Sequence, residues 1–102
     1  MNTSIEMKKK ILLYNYFGNY IITRNAVADI FERLNNAKGE EIIMDFNKIE
    51  FISRSSADEY IKRKLAFNKR LVEKNISPNA LAMFFLVIKQ SKLKEPIITI
   101  TS

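Results

Sequence analysis

Glu40-Glu41-Ile42-Ile43-Met44-Asp45-Phe46 is the most strand-like stretch of the chain. Behind it come the turn residues Asn47-Lys48, then Ile49-Glu50-Phe51-Ile52 and the serine-rich Ser53-Arg54-Ser55-Ser56. Ile42, Ile43 and Met44 stand side by side instead of alternating with polar residues, which predicts a strand covered on both faces and central in its sheet. A helix is expected to begin at the serines. Ser55 with Asp58, or Ser56 with Glu59, has the spacing of an N-terminal capping box, and Ser53 is a third candidate cap. Ala57, Tyr60, Ile61 and Leu65 would form that helix's buried stripe.

On the N-terminal side, Thr23 or Asn25 is placed to cap a helix with Ala26, Val27, Ile30, Phe31 and Leu34 on one face. Lys38-Gly39 is its expected stop. Residues 9–16 and 20–23 read as strands joined through Phe17-Gly18-Asn19, a β-hairpin. On the C-terminal side, Leu71 to Asn75 reads as a short strand, the alternative being an extension of the preceding helix. Ser77-Pro78 offers a cap followed by proline at the first helical position, so a third helix is expected from Pro78 to about Lys92. Residues 97–101 alternate like an edge strand. The expected order is β-β-α-β-α-β-α-β, an α/β domain with a small mixed β-sheet and three helices, occupying residues 1–102 as one unit.

Composition narrows the chemistry. The chain has 102 residues, no Cys, no His and two glycines, Gly18 and Gly39. A Ser-His-Asp triad, a thiol nucleophile and imidazole or thiolate metal ligands are therefore excluded. Two isolated glycines build neither a P-loop nor a dinucleotide-binding turn. A domain without enzymatic activity, cofactor or metal is the expectation. Lys8 to Lys10 before Ile11-Leu12-Leu13 resembles the start of a signal peptide, but the apolar run stops at Tyr14-Asn15. The longest apolar run, Ala80 to Ile88, falls well short of the roughly 20 residues that span a bilayer. A soluble, cytoplasmic protein with no membrane partner is expected.

The stretch from Ile43 to Glu59 is similar to the hallmark of STAS-like domains, relatives of sulfate-transporter and anti-sigma-factor-antagonist domains. In these a strand ends in Asp-Phe, as at Asp45-Phe46, and a serine-bearing turn leads into an Ala-Asp-Glu helix start, as at Ala57-Asp58-Glu59. Thr23-Arg24 resembles the family's Ser-Arg before its first helix, and Asn75-Ile76-Ser77-Pro78 resembles its last loop. The resemblance implies an α/β domain used for protein–protein regulation. In bacterial members a serine at the second helix start is phosphorylated by a GHKL-type ATPase kinase, which is also the binding partner. That position falls on Ser55, with Ser53 and Ser56 as alternatives. The family's Asp-Ser-Ser/Thr-Gly reads Ser53-Arg54-Ser55-Ser56 here. Ser53, Arg54, Ser55, Ser56, Asp58 and Glu59 make up the implied docking segment.

Other features have plainer explanations. Neighbouring Asp58 and Glu59 point about 100° apart on a helix and suit its first turn better than a shared acid–base site. Asp45 stands where ligand sites of open α/β sheets gather, yet also suits a cap for the Asn47-Lys48 turn. The net charge is +6. Lys62, Arg63, Lys64, Lys69, Arg70 and Lys74, against Glu73 alone, form a basic cluster. It reads as a solvated face, a surface for an acidic protein, or a nucleic-acid-binding patch of a basic accessory protein. The third helix is apolar all round, through Leu81, Met83, Phe84, Phe85, Leu86, Val87 and Ile88. Either the first helix covers it, or a partner or second copy does, a homodimer through residues 78–92.

Overall fold

The computed structural model describes residues 8–36 and 41–91, and the backbone of 100–101. The elements follow the order β1 (Lys8–Leu12), α1 (Tyr14–Phe17), β2 (Tyr20–Ile21), α2 (Arg24–Asn35), β3 (Glu41–Asp45), β4 (Phe51–Ile52), α3 (Arg54–Ala66), β5 (Arg70–Lys74), α4 (Pro78–Gln90) and β6 (Ile100–Thr101). One sheet has the strand order β1-β3-β5-β6; β2 and β4 form a second, two-stranded sheet. Every pairing is parallel. Parallel neighbours need long crossovers, which α2, α3 and α4 supply. The architecture is α/β, as the alternation of strand and helix patterns predicts.

The register decides which side chains share a face. Ile11, Met44 and Glu73 lie in one row, and Ile42 pairs with Leu71. Onto this face α2 packs Val27, Ile30, Phe31 and Leu34, α3 packs Ala57, Tyr60 and Ile61, and α4 packs Ala80, Phe84 and Val87, all in one core. The opposite face carries a row of charges: Lys8 Nζ and Arg70 Nε lie 3.7 and 2.8 Å from the two carboxylate oxygens of Glu41. Ile43 points that way, half-buried beside Val72. The strand is interior as expected, but the described helices form a layer on its Ile42–Met44 face alone.

The N-terminal hairpin is not formed. β1 stops at Leu12, and Leu13 turns into the core while its N–H donates to the Asp45 carbonyl at 3.1 Å. Tyr14–Phe17 then makes a fourth, single-turn helix. Gly18, at φ 68°, ends it by donating its N–H to the Tyr14 carbonyl. The glycine supplies a positive φ as turn chemistry requires, but it closes a helical turn instead of joining strands. β2 consequently pairs with β4, Tyr20 beside Phe51 and Ile21 beside Ile52.

Smaller corrections follow the same logic. Leu65 is 57% exposed; the inward position one turn beyond Tyr60 belongs to Lys64, which keeps the i, i+4 spacing. Residues 71–74 are extended, in β5, which runs Arg70–Lys74; Asn75 lies past its end with a left-handed backbone, φ 61°. α4 packs chiefly against α3 and β4. Lys38-Gly39, Lys92 and residues 97–99 lie outside the described residues, and Ile100–Thr101 is the outer strand beside β5.

Glu73 is fully buried on the core face of β5. Its carboxylate accepts hydrogen bonds from Tyr60 Oη at 2.7 Å and from Lys64 Nζ at 2.7 and 2.8 Å. Burial, then the charge and hydrogen bond of Glu73, holds the Tyr60 phenol well above its ordinary pKa, so it stays a donor. The Tyr60 ring lies among Phe31, Phe46 and Phe84 at centroid distances of 5.2, 5.8 and 5.1 Å. Removing one member of a buried ion pair leaves a charge without compensation. Lys64→Met is expected to cost about 3–5 kcal/mol, and Tyr60→Phe about 1–3 kcal/mol. A combined Lys64→Met/Glu73→Leu/Tyr60→Phe chain should regain most of that loss in urea unfolding.

Candidate functional site

The start of α3 is built from Ser53. β4 ends at Ile52, and Ser53 keeps an extended backbone, φ −70° and ψ 159°, with its Oγ accepting the Ser56 N–H at 3.2 Å. Ser53 is therefore the N-cap, and the capping boxes expected at Ser55–Asp58 and Ser56–Glu59 are displaced into the helix. The same Oγ donates to the Ile22 carbonyl at 2.7 Å and lies 2.7 Å from Ser56 Oγ. A hydroxyl has one proton and a carbonyl can only accept. Ser53 must give its proton to Ile22, which leaves Ser56 to supply the hydrogen between the two hydroxyls. This ties α3 to the end of β2, where the Ser53 N–H also donates to the Ile21 carbonyl at 2.8 Å.

The three candidate serines are thus sorted by their surroundings. Ser53 is a cap whose hydrogen-bonding capacity is used within the domain. Ser56 has no exposed surface. Ser55 is exposed, with Ser53 Oγ 3.4 Å from its hydroxyl. It lines an open cleft of about 530 Å³ together with Arg24, Arg54, Asp58, Val87 and Gln90. Three elements meet there: the first residue of α2, the first turn of α3 and the last turn of α4.

Charge in the cleft is arranged by exchangeable pairs. Arg24, which follows the Thr23 cap of α2, lies 3.7 Å from Asp58 and 3.6 Å from Glu59. Each carboxylate has another cation: Lys62 is 3.4 Å from Asp58, and Arg63 Nε is 2.8 Å from Glu59. Asp58 and Glu59 thus act as an electrostatic link between α2 and α3. Arg54 donates from its guanidinium to the side-chain carbonyl of Gln90, joining the start of α3 to the end of α4. Ser91 closes the far wall, its Oγ donating to the Val87 and Ile88 carbonyls. The sequence gives no local sign of Gln90, whose partner is 36 positions away. Arg24 is reachable through the Thr-Arg resemblance alone.

The basic cluster is dispersed among internal partners. Lys62 and Arg63 face Asp58 and Glu59; Lys64 serves Glu73, and Arg70 pairs with Glu41 on the far sheet face. Lys69 is part-exposed and Lys74 closes β5.

Asp45 is a turn and strand-end anchor. Its Oδ1 accepts from the Asn47 N–H and from Asn75 Nδ2, both at 2.9 Å, and Oδ2 lies 3.2 Å from Lys10 Nζ. Burial by itself would raise its pKa, but the hydrogen bonds from Asn75, Asn47 and Lys10 outweigh burial and bring it below the ordinary carboxylate value. On the outside of α4, Phe85 is 50% and Leu86 41% exposed, while Phe84 and Val87 are in the core. No helix among the described residues is long and apolar enough to cross a membrane. No family model matches the chain, and no curated protein or solved structure matches it either.

Two outcomes follow for this site. Ser53→Ala should lower stability by about 1–2 kcal/mol, while Ser55→Ala should change it by less than about 0.5 kcal/mol in urea titrations. For Asp45, a lowered folded-state pKa means stability present above about pH 4 and lost as pH falls through the folded value. Asp45→Asn should therefore be less stable at pH 7. It should also lose less stability than the parent between about pH 4 and pH 2, read from the unfolding midpoint against pH.

Proposed function

We propose that this chain is a cytoplasmic STAS-like regulatory module that acts by binding a protein partner rather than by catalysis. The partner class is a GHKL-type ATPase, and the docking surface is the start of α3 with Ser53, Arg54, Ser55, Asp58 and Glu59, the fully buried Ser56 lying behind it. The observation that carries the reading is Ser55: its hydroxyl is exposed in a cleft with Arg24 and Arg54, while the half-buried Ser53 is engaged as the helix cap and Ser56 is buried. Modification at Ser55 would form an O–P bond to the γ-phosphoryl of ATP as the β–γ bridging bond breaks. ADP leaves, and the serine proton passes to solvent. Nearly two negative charges then stand at the docking surface. The resemblance of residues 43–59 to the STAS-like hallmark supports the same position. Nucleic-acid binding through residues 62–74 has less support, because Lys62, Arg63, Lys64 and Arg70 already face carboxylates of this chain.

The test is a nuclease-treated capture from source lysate with tagged parent, Ser55→Ala and Ser55→Asp proteins, read by mass spectrometry. The expected result is an ATPase held by the parent and by Ser55→Ala and reduced at least tenfold by Ser55→Asp. The phosphorylated Ser55 peptide should be absent from the complex. Equal capture by all three proteins, or capture abolished by nuclease and by neutralising Lys62 and Arg63, would overturn the reading.

A further inference from the structure

The cleft contains more cationic chemistry than its resting contacts use. Arg54 has no carboxylate within ion-pair distance among the described residues; its partner is the neutral side-chain carbonyl of Gln90. Arg24 makes only long contacts, 3.7 and 3.6 Å, to carboxylates that Lys62 and Arg63 also hold at 3.4 and 2.8 Å. Either guanidinium can therefore leave without stranding a charge. Hydrogen bonds between guanidinium and phosphate join two ions and are commonly bidentate, which a single neutral amide carbonyl does not match. Ser55 opens into the space these two side chains line.

We propose that Arg24 and Arg54 are a phosphoryl clamp for phosphorylated Ser55, and that clamping exchanges their resting partners. Arg54 leaves Gln90, which unfastens the start of α3 from the end of α4. Arg24 leaves Asp58 and Glu59, whose charges stay neutralised by Lys62 and Arg63. Asp58 shares the cleft and repels the phosphate, a cost that the two guanidiniums offset. The modification is thus read inside the domain, as a rearrangement across α2, α3 and α4, besides changing the charge that a partner meets. This inference rests on Ser55 being the phosphate acceptor.

The experiment installs phosphoserine at position 55 during synthesis of the full chain, so no kinase or ATPase is involved. The second phosphate pKa is then followed by 31P NMR. Two nearby guanidiniums favour the dianion. The value should be about one pH unit lower in the parent than in Arg24→Gln/Arg54→Gln, with each single variant in between. Arg33→Gln, which removes an equal charge from an exposed position of α2 outside the cleft, should leave it unchanged. Gln90→Ala, which removes the resting competitor, should lower it further. The clamp is rejected if the parent and the double variant titrate alike, or if Arg33→Gln matters as much as Arg54→Gln. An unchanged value in Gln90→Ala rejects the exchange. Loss of the arginine effect sinks the clamp but not the acceptor role of Ser55, which the capture comparison decides separately.

Discussion

Glu73 is a carboxylate on the core face of an interior strand, with no exposed surface, and the position of α3 follows from it. A buried charge is tolerated when it is paired and hydrogen-bonded on all sides that water would have served. Tyr60 and Lys64, one turn apart on α3, meet that demand at 2.7 Å each. Their spacing fixes the helix in rotation and in height over the sheet, because sliding it by one residue would take both partners away from the carboxylate. The aromatic ring of Tyr60 then sets how Phe31, Phe46 and Phe84 pack around it. With α3 held there, its first turn is delivered to the ends of β2, α2 and α4, where the serine cleft forms.

The fold was legible where local chemistry and the long-range structure agree. Thr23, Ser77 and Pro78 start helices because caps and proline act on the nearest turn. The adjacent apolar residues of β3 marked an interior strand. Legibility failed at 9–23, where an apolar-aromatic run and a glycine fit a hairpin equally well. The competing factor is Leu13, which gains burial by leaving the sheet, with β3 taking the place beside β1. It failed again at Leu65 and Lys64. Hydrophobicity alone assigns the core position to leucine, whereas the buried carboxylate on β5 requires the lysine.

The site was half legible. Ser53, Ser55 and Ser56 stood out as three hydroxyls before a helix, but spacing could not tell a cap from an exposed side chain. The decision came from the Ile22 carbonyl, 31 positions away, which claims the Ser53 proton. The six basic residues from Lys62 to Lys74 looked like one patch because they are close along the chain. Helical and extended geometry send them to different faces, and carboxylates at Glu41, Asp58, Glu59 and Glu73 meet four of them there. Contacts between distant segments, such as Arg54 with Gln90, have no signature in a single sequence.

The all-parallel pairing also governs how the chain reaches this state. Without a hairpin, none of the strand pairs among the described residues is assembled by a short turn, and β1 must find β3 across α1, β2 and α2. Helical turns equilibrate in about 0.1–1 μs, whereas pairing of distant segments waits on the entropy of closing long loops. Helix segments accordingly sample their form before the distant strand pairs close. During that interval the backbone of β3 is an unpaired, apolar template. The cationic run Lys8-Lys9-Lys10 on the strand that completes it lends charge at the edge that foreign strands would otherwise extend.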